Sequence, residues 1–147
     1  MNNEKSFDIM EYISHSAAET ENIAAEIAKT LVGGEYIALY GNMGAGKTAF
    51  TRGLVKQLAP ECLQLVHSPT FAIVNEYRGE RFVIYHYDLY RLTDEDDLIS
   101  TGFSDYNDGK AIVISEWSEL FDDILPADRI RITIEILSET DRRITVC

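Results

Sequence analysis

The amino-acid sequence predicts an α/β fold, in which helices flank a mixed, mostly parallel sheet that ends in a C-terminal β-hairpin. Residues 35–40 form a short apolar segment that is typical of a buried strand. A glycine-rich stretch follows at residues 41–48, and beyond it apolar side chains recur every four residues at Phe50, Leu54 and Leu58. This spacing forms one face of a helix, which a proline ends. The order of strand, glycine loop and helix indicates a β-α unit.

The glycine-rich stretch fits the P-loop pattern G-x-x-x-x-G-K-[ST] at every required position. Glycines let successive backbone N–H groups converge on phosphate oxygens, where a Cβ would obstruct the approach. We expect Lys47 to reach the β and γ phosphates of a nucleoside triphosphate and the Thr48 hydroxyl to bind Mg²⁺. The strand and helix on either side are the context that this motif requires, so the fold class is that of a P-loop NTPase.

The chain before the P-loop predicts one further strand and one further helix. Residues 7–13 form the strand, and Ser16 with Glu19 forms a capping box for the helix. Two glycines at residues 33–34 end the helix, whose apolar stripe consists of Ile23, Ile27 and Leu31, broadened by Ala24 and Ala28. We expect a purely structural role for both elements. The alternative is that residues 14–21 border a nucleotide base.

After the P-loop helix, residues 66–71 contain a proline and few helix signals, which indicates a loop that leads into a strand at residues 72–74. Nucleotide-dependent switches of P-loop proteins lie at this point, where a Ser or Thr hydroxyl can reach Mg²⁺ or the γ-phosphate. An ordinary strand-entry turn is the alternative. Residues 75–78 and 81–88 then predict a hairpin.

Two apolar strands end in an acid, and both acids are candidate metal ligands. One strand ends at Asp88 and the other, residues 111–117, carries Glu116. A carboxylate at the C-terminal end of an apolar strand is typical of a Walker B segment, which binds Mg²⁺. The patterns do not choose between the two acids, which can also divide the work, one ordering the metal ion and the other orienting water.

The remaining segments predict structure rather than chemistry. The acidic run at residues 94–97 is typical of the first turn of a helix, where negative charge suits the helix dipole. Apolar residues alternate along residues 129–136, which indicates a half-buried strand, and residues 142–146 return after a turn. We expect this last hairpin to extend the sheet without contributing to a site.

Composition narrows the functional classes. A chain of 147 residues is expected to form one domain, residues 1–147, with a single core. Its net charge of −12 argues against holding RNA or DNA alone, because nucleic-acid binding is driven by basic surfaces. No apolar run approaches the length of a membrane span and no targeting segment precedes the first strand, so we expect a cytoplasmic protein. Cys62 and Cys147 are expected to be free thiols.

Several segments together closely resemble the bacterial TsaE (YjeE) family. They are the P-loop, S-P-T-F at residues 68–71, H-x-D-L-Y-R at residues 86–91 and E-W at residues 116–117, in this order and in a chain of this size. The resemblance extends over nearly the whole chain. It implies the ATPase component of the machinery that makes threonylcarbamoyladenosine in tRNA, with ATP and Mg²⁺ as cofactors.

The resemblance also implies roles for individual residues. Asp88 is then the Walker B carboxylate, Thr70 belongs to a switch-like loop that faces the metal, Glu116 assists hydrolysis and Trp117 packs close to the nucleotide. Lys47, Asp88 and Glu116 form the implied catalytic set, and metal ligands come from Thr48, Asp88 and Glu116. Besides Thr70 and Trp117, the implied nucleotide-binding residues are Gly41, Asn42, Met43, Gly44, Ala45, Gly46, Lys47, Thr48 and Ala49.

Partners follow from the same resemblance: a TsaD-like subunit that transfers the threonylcarbamoyl group to tRNA and a TsaB-like subunit that scaffolds it. The chain would contact tRNA only through this complex, would hydrolyse ATP weakly alone and would drive turnover of the complex. Three residues depart from the usual family pattern. The family usually carries an acid where this chain has Asn42, often Leu where it has Met43 and frequently Thr where it has Ala49. Loss of the acid removes a polar contact at the loop tip or a general base.

Other classes of P-loop protein remain as alternatives. A small-molecule kinase normally has an arginine-rich lid, and none of the 13 basic residues is clustered in that way. A GTPase-like switch carries an Asn-Lys-x-Asp segment, which is missing from the sequence. A nucleotide-gated binding module, in which hydrolysis is incidental, is the non-enzymatic alternative.

Overall fold

The computed structural model describes residues 9–66, 74–100 and 109–147, and these residues build one seven-stranded sheet with helices beside it. The strands are β1 (Met10–Ser14), β2 (Tyr36–Tyr40), β3 (Val74–Arg78), β4 (Val83–Asp88), β5 (Ile112–Glu116), β6 (Ile130–Ile136) and β7 (Arg142–Val146). The α-helices are α1 (Ala17–Ala28), α2 (Lys47–Leu58) and α3 (Glu95–Ser100), and short 3₁₀ turns span Pro60–Leu65, Leu89–Arg91 and Ser118–Phe121.

The sheet is mixed, with the strand order β1-β7-β6-β2-β5-β4-β3. The inner strands β6, β2, β5 and β4 run parallel, which confirms the predicted α/β class. The β6–β7 and β3–β4 hairpins are antiparallel, and β1 adds a third antiparallel pairing by joining β7. The sheet therefore contains more antiparallel pairing than the sequence predicts, because β1 pairs with β7, a strand that is distant in sequence.

The strand β2 lies inside the sheet and separates two apolar clusters. Ile37 and Leu39 face the cluster that contains α1 and α2, whereas the alternate residues Tyr36 and Ala38 face the other cluster. The helices α1 and α2 approach closely at Gly53, where a Cβ would lie 2.2 Å from the carbonyl oxygen of Glu21. This packing fixes the start of α2, and with it the P-loop, at the carboxyl edge of β2.

The predicted elements occur, with changes at their ends. The Ser16 hydroxyl accepts from the amide of Glu19 and caps α1 as predicted, while the Glu19 carboxylate binds the amide of His15. The helix ends at Ala28 and not at Leu31, because the chain continues in tight turns that still bury Leu31. The acidic run begins α3, where the Asp94 side chain accepts from the amide of Asp97.

Two further expectations concern the first strand and the switch-like loop. The described part of the first strand begins at Met10, and residues 7–8 lie outside the described residues. Residues 67–73, which include Thr70 and most of the predicted strand entry, also lie outside them, and β3 begins at Val74.

Cys62 and Cys147 are free, as predicted, and burial raises the pKa of the Cys62 thiol. Among the described ranges, we find no helix long and apolar enough to cross a membrane.

A polar network fixes the residue that precedes the P-loop. The Tyr40 hydroxyl donates to Asp122 at 2.6 Å, and Arg129 donates to both groups at 2.9 and 2.7 Å. The bond from Tyr40, followed by the bond and charge of Arg129, holds the pKa of Asp122 below its ordinary value. A carboxyl group with a lowered pKa stabilises the fold above its ordinary pKa, and this stabilisation is lost as the pH falls through the lower value.

We therefore expect Asp122→Asn to lower the melting temperature most near neutral pH. The difference from the wild type should shrink as the pH falls below about 4, the ordinary range of an Asp carboxyl. Thermal melts between pH 7 and pH 3 measure this difference, with Asp123→Asn as the control, since Asp123 is the exposed neighbour. An equal loss of stability at every pH would contradict the expectation.

Candidate functional site

The P-loop connects β2 to α2 and folds tightly against β6. At Gly41 the backbone has φ +155°, and a Cβ would lie 2.8 Å from the carbonyl oxygen of Ile134 in β6. At Gly46, the residue that precedes α2, φ is +112°, a value that side chains rarely allow. The loop thus directs its backbone toward the N-terminal end of α2, where unpaired N–H groups and the helix dipole favour an anion.

The side chain of Lys47 is buried against the glycines of the P-loop. Its ammonium group donates to the carbonyl oxygen of Gly41 at 2.8 Å and lies 4.1 Å from the centre of the Trp117 indole ring. Only 6% of Lys47 is exposed. A phosphate that binds in the loop would therefore compete with these two contacts for the ammonium group.

A cavity of about 330 Å³ opens beside the loop. It is lined by Met43, Gly44, Gly46, Lys47, Thr48, Glu116 and Trp117. The structure thus brings together the end of β5 and the predicted phosphate-binding residues, although they are distant in sequence. Glu116 is one of the two predicted acids that end apolar strands, and it is the one that lines this cavity.

Asp88 does not line the cavity but lies beside it. The strands β4 and β5 are parallel neighbours, and Asp88 pairs with Glu116 in register. Ile84 and Ile114, which share strand faces with these acids by alternation, both belong to the cluster beneath α2. One oxygen of Asp88 accepts from the amide of Tyr90 at 3.1 Å and caps the short turn after β4.

Two buried residues that the sequence patterns did not indicate are connected to Glu116. Its Oε2 atom lies 2.6 Å from Nε2 of His86, and Nδ1 of His86 lies 3.0 Å from the Tyr77 hydroxyl. At most 3% of each of these three residues is exposed. The available signals were the position of His86, two residues before Asp88 on the same face of the strand, and its place at the start of the H-x-D-L-Y-R segment.

Trp117 follows Glu116 in an unusual backbone conformation. With φ +61° and ψ +37° it is the one non-glycine residue of the described ranges with a positive φ. A large side chain rarely adopts this conformation without support from its surroundings. The indole ring packs against Lys47 on one side and against Tyr90, whose ring centre lies 4.9 Å away. In this conformation Trp117 lines the cavity together with Lys47 and Glu116.

A second cavity of about 370 Å³ opens at Gly44 and Gly46, which line the first cavity as well. Its other lining residues come from the start of α1, from α2 and from the β6–β7 hairpin: His15, Ser16, Ala17, Thr20, Ala45, Ala49, Glu139, Thr140 and Arg142. The start of α1 and the last hairpin, for which only a structural role is expected, therefore line a cavity beside the P-loop. Asn42 lines neither cavity and faces a separate groove along β6.

Arg142 connects the last hairpin to the P-loop. Its guanidinium donates to the carbonyl oxygens of Ala45 and Gly44 at 2.9 and 3.2 Å, and also to that of Ser138 at 2.9 Å. A planar guanidinium with several donors holds such a set of carbonyl oxygens in a fixed arrangement. The conformation of the loop tip therefore depends on β7.

We expect Arg142→Gln to weaken nucleotide binding about 10-fold, because the loop loses one or two hydrogen bonds of about 1.5–3 kcal/mol to a charged group and must be ordered by the ligand. Calorimetric titration with a nucleoside triphosphate measures the affinity. Arg143→Gln is the matched control, since Arg143 pairs with Glu135 on the surface at 3.5 Å. Equal affinities of the two variants would show that Arg142 does not organise the loop.

Together, the mixed sheet, the glycine loop between β2 and α2 and the cavity at its edge define a P-loop NTPase fold. The described residues contain no group of three or more His, Cys, Asp or Glu side chains arranged to hold a metal ion. Comparison with known proteins agrees with this class. A crystal structure of YdiB from Bacillus subtilis is similar to the chain with a TM-score of 0.76 and 29% identity, covering 95% of this chain and 84% of that chain.

Sequence comparison identifies the family. The family model of threonylcarbamoyl adenosine biosynthesis protein TsaE matches residues 14–144. The protein of that name from Aquifex aeolicus is 39% identical over 138 residues, which cover 94% of this chain and 96% of the relative. The Bacillus subtilis protein is 36% identical over 127 residues, covering 86% and 78%. The chain belongs to the TsaE family, which takes part in the biosynthesis of threonylcarbamoyladenosine in tRNA.

Proposed function

We propose that this protein binds ATP with Mg²⁺ and hydrolyses it as a cytoplasmic subunit of the tRNA threonylcarbamoyladenosine machinery. The observation that carries the proposal is the cavity that gathers the P-loop, Lys47, Thr48, Glu116 and Trp117. A buried cation, a helix N-terminus and a carboxylate around one cavity suit the binding and cleavage of a triphosphate. Its relatives are named for tRNA threonylcarbamoyladenosine biosynthesis, which supplies the biological setting.

The residues at the loop fit a Mg²⁺–triphosphate group. Gly44 and Gly46 have positive φ, and apart from their neighbours in the chain no described residue comes within 4 Å of the position of a Cβ at either glycine, so the cradle is open to a phosphate. Thr48, Asp88 and Glu116 offer hard oxygen donors, which Mg²⁺ prefers. We propose that Thr48 and Asp88 hold the ion. The metal would neutralise developing phosphate charge.

In this proposal Glu116 orients the attacking water, because it lines the cavity with one carboxylate oxygen held by His86. Lys47 leaves the Gly41 carbonyl oxygen to bind the phosphates. The base of the nucleotide occupies the second cavity, which shares Gly44 and Gly46 with the first and is also lined by His15 and Ser16. The Trp117 ring closes the phosphate side of the site.

The net charge of −12 supports the proposed division of labour among subunits. An acidic chain repels the tRNA backbone, so we propose that TsaD-like and TsaB-like partners hold the tRNA. ATP hydrolysis by this chain would then reset the complex between rounds of modification, and activity would be weak without the partners.

The test is repeated tRNA modification by the reconstituted complex. We expect phosphate release from ATP that requires Mg²⁺ and rises when both partner subunits are added, together with multiple rounds of tRNA modification that depend on this chain. A small-molecule kinase would instead transfer the phosphoryl group to a metabolite and release no free phosphate. Such a transfer at ordinary enzyme rates, or modification that continues without this chain, would overturn the proposal.

A further inference from the structure

We propose that His86 and Tyr77 are positioning residues, which fix the carboxylate of Glu116 in the orientation that it needs for hydrolysis. The inference rests on the proposed function, in which Glu116 acts on water at the γ-phosphate. It concerns residues on three adjacent strands: Tyr77 lies on β3, His86 on β4 and Glu116 on β5. Their side chains form a continuous hydrogen-bonded chain from the edge of the sheet to the cavity.

The donors and acceptors of this chain fit in only one way for a neutral imidazole. A carboxylate can only accept a hydrogen bond, so the 2.6 Å contact to Glu116 places the proton on Nε2 of His86. The Nδ1 atom then accepts from the Tyr77 hydroxyl at 3.0 Å. The carboxylate of Glu116 thereby selects the tautomer of His86, and the Tyr77 hydroxyl donates to the Nδ1 atom that is left as an acceptor. His86 in turn selects which oxygen of Glu116 is turned away from the cavity.

The sheet register explains why the three residues meet. His86 pairs with Ile114 across β4 and β5, so Glu116 lies two residues further along the neighbouring strand on the same face. Tyr77 pairs with Ile84, two residues before His86. Diagonal neighbours at this spacing lie within reach of long or aromatic side chains. The rigid sheet therefore holds the chain of contacts without help from a loop.

Burying these polar side chains costs desolvation energy, so a role in packing alone does not explain why they lie here. Three polar side chains lie in the interior, where apolar residues of similar size would avoid desolvation. Each polar atom named above has a partner, so the network holds a single geometry. Because Glu116 uses Oε2 for His86, Oε1 is the oxygen left for a ligand in the cavity that Glu116 lines.

Two substitutions of His86 separate positioning from packing. In His86→Gln the side-chain amide nitrogen reaches about the place of Nε2 and can still donate to Glu116, whereas in His86→Asn the shorter side chain loses Glu116. We expect His86→Asn to lower kcat for ATP about 10- to 100-fold, the usual cost of removing an outer partner of an active group. The KM for ATP should stay within about 2-fold, and His86→Gln should recover most of kcat.

Tyr77→Phe tests the outer end of the chain, and Tyr36→Phe is its control. Tyr36 also has a buried side chain, but it belongs to the cluster on the opposite face of the sheet. We expect Tyr77→Phe to lower kcat by less than about 10-fold and Tyr36→Phe to leave it unchanged. Equal losses of kcat in His86→Asn and His86→Gln, in parallel with equal losses of melting temperature, would show that His86 only packs the core.

A measurement without nucleotide distinguishes this inference from the proposed function. Imidazole ¹⁵N NMR of the wild type should show the Nε2–H tautomer of His86, and Tyr77→Phe should shift the Nδ1 resonance while Tyr36→Phe does not. The opposite tautomer would overturn the positioning role. If the tautomer is as expected but neither the wild type nor its complex hydrolyses ATP, the proposed function fails, and the role of His86 in hydrolysis fails with it. If ATP is hydrolysed but His86 has the opposite tautomer, the proposed function stands and only the positioning role fails.

Discussion

Lys47→Ala is expected to weaken the binding of Mg²⁺–ATP about 100-fold, the equivalent of two charge-assisted hydrogen bonds of about 1.5 kcal/mol each. The ammonium group is buried in the loop and has no second cation beside it among the residues that line the cavity. Its present partners, the Gly41 carbonyl oxygen and the Trp117 ring, hold it close to the phosphate site. The side chain therefore has little conformational freedom left to lose when the nucleotide arrives, although the phosphate must displace the Gly41 carbonyl oxygen.

Isothermal titration calorimetry is the appropriate measurement of this effect. Fluorescence is less suitable, since removing Lys47 also changes the surroundings of the Trp117 ring. Lys56→Ala is the matched control, because it removes the same charge from an exposed position near the end of the same helix. If both variants bound ATP equally well, general attraction to the anion rather than the loop lysine would account for the affinity.

The elements that the sequence predicted well depend on local patterns. The strand, glycine loop and helix from Tyr36 to Leu58 follow from hydrophobic spacing and glycine conformations that operate within a few residues. The Ser16 cap and the alternation along residues 130–136 are equally local. The same patterns identified both candidate acids, because an acid at the end of an apolar strand is visible in the sequence.

The features that the sequence did not predict depend on the order of the strands. Arg142 reaches Ala45 across 97 positions of the chain, because β7 joins β6 and β6 joins β2. The pairing of Asp88 with Glu116 and the diagonal contact of His86 with Glu116 both require β4 and β5 to be neighbours in one particular register. No periodicity in a single sequence specifies that register.

These long-range contacts surround the P-loop with rigid elements on both sides. On one side, Arg142 fixes the carbonyl oxygens of Gly44 and Ala45. On the other side, β5 presents Glu116 and then turns at Trp117, whose ring contacts Lys47. The loop is therefore largely arranged before a ligand binds, and we expect substitutions of Arg142 or Trp117 to change the affinity for the nucleotide more than the stability of the fold.

The second large effect is expected from substitutions of Asp88 and Glu116, the acids that end β4 and β5. Glu116→Gln is expected to lower kcat about 100-fold or more with little change in the affinity for Mg²⁺–ATP, because the amide keeps its size but loses the charge that holds and orients the attacking water. Asp88→Asn is expected to weaken the Mg²⁺-dependent part of ATP binding, since a neutral amide is a poorer ligand for the ion. The two variants thus affect different constants.

Both variants are measured by phosphate release in the reconstituted complex and by ATP titrations with Mg²⁺ and with EDTA. Glu119→Gln is the control, as it removes an exposed charge three residues beyond Glu116. The pairing of the acids in adjacent parallel strands would let either one reach a bound Mg²⁺, and the contacts of Asp88 with Tyr90 and of Glu116 with His86 distinguish the two acids. If Glu116→Gln abolished the Mg²⁺ dependence and Asp88→Asn preserved it, the two roles would have to be exchanged.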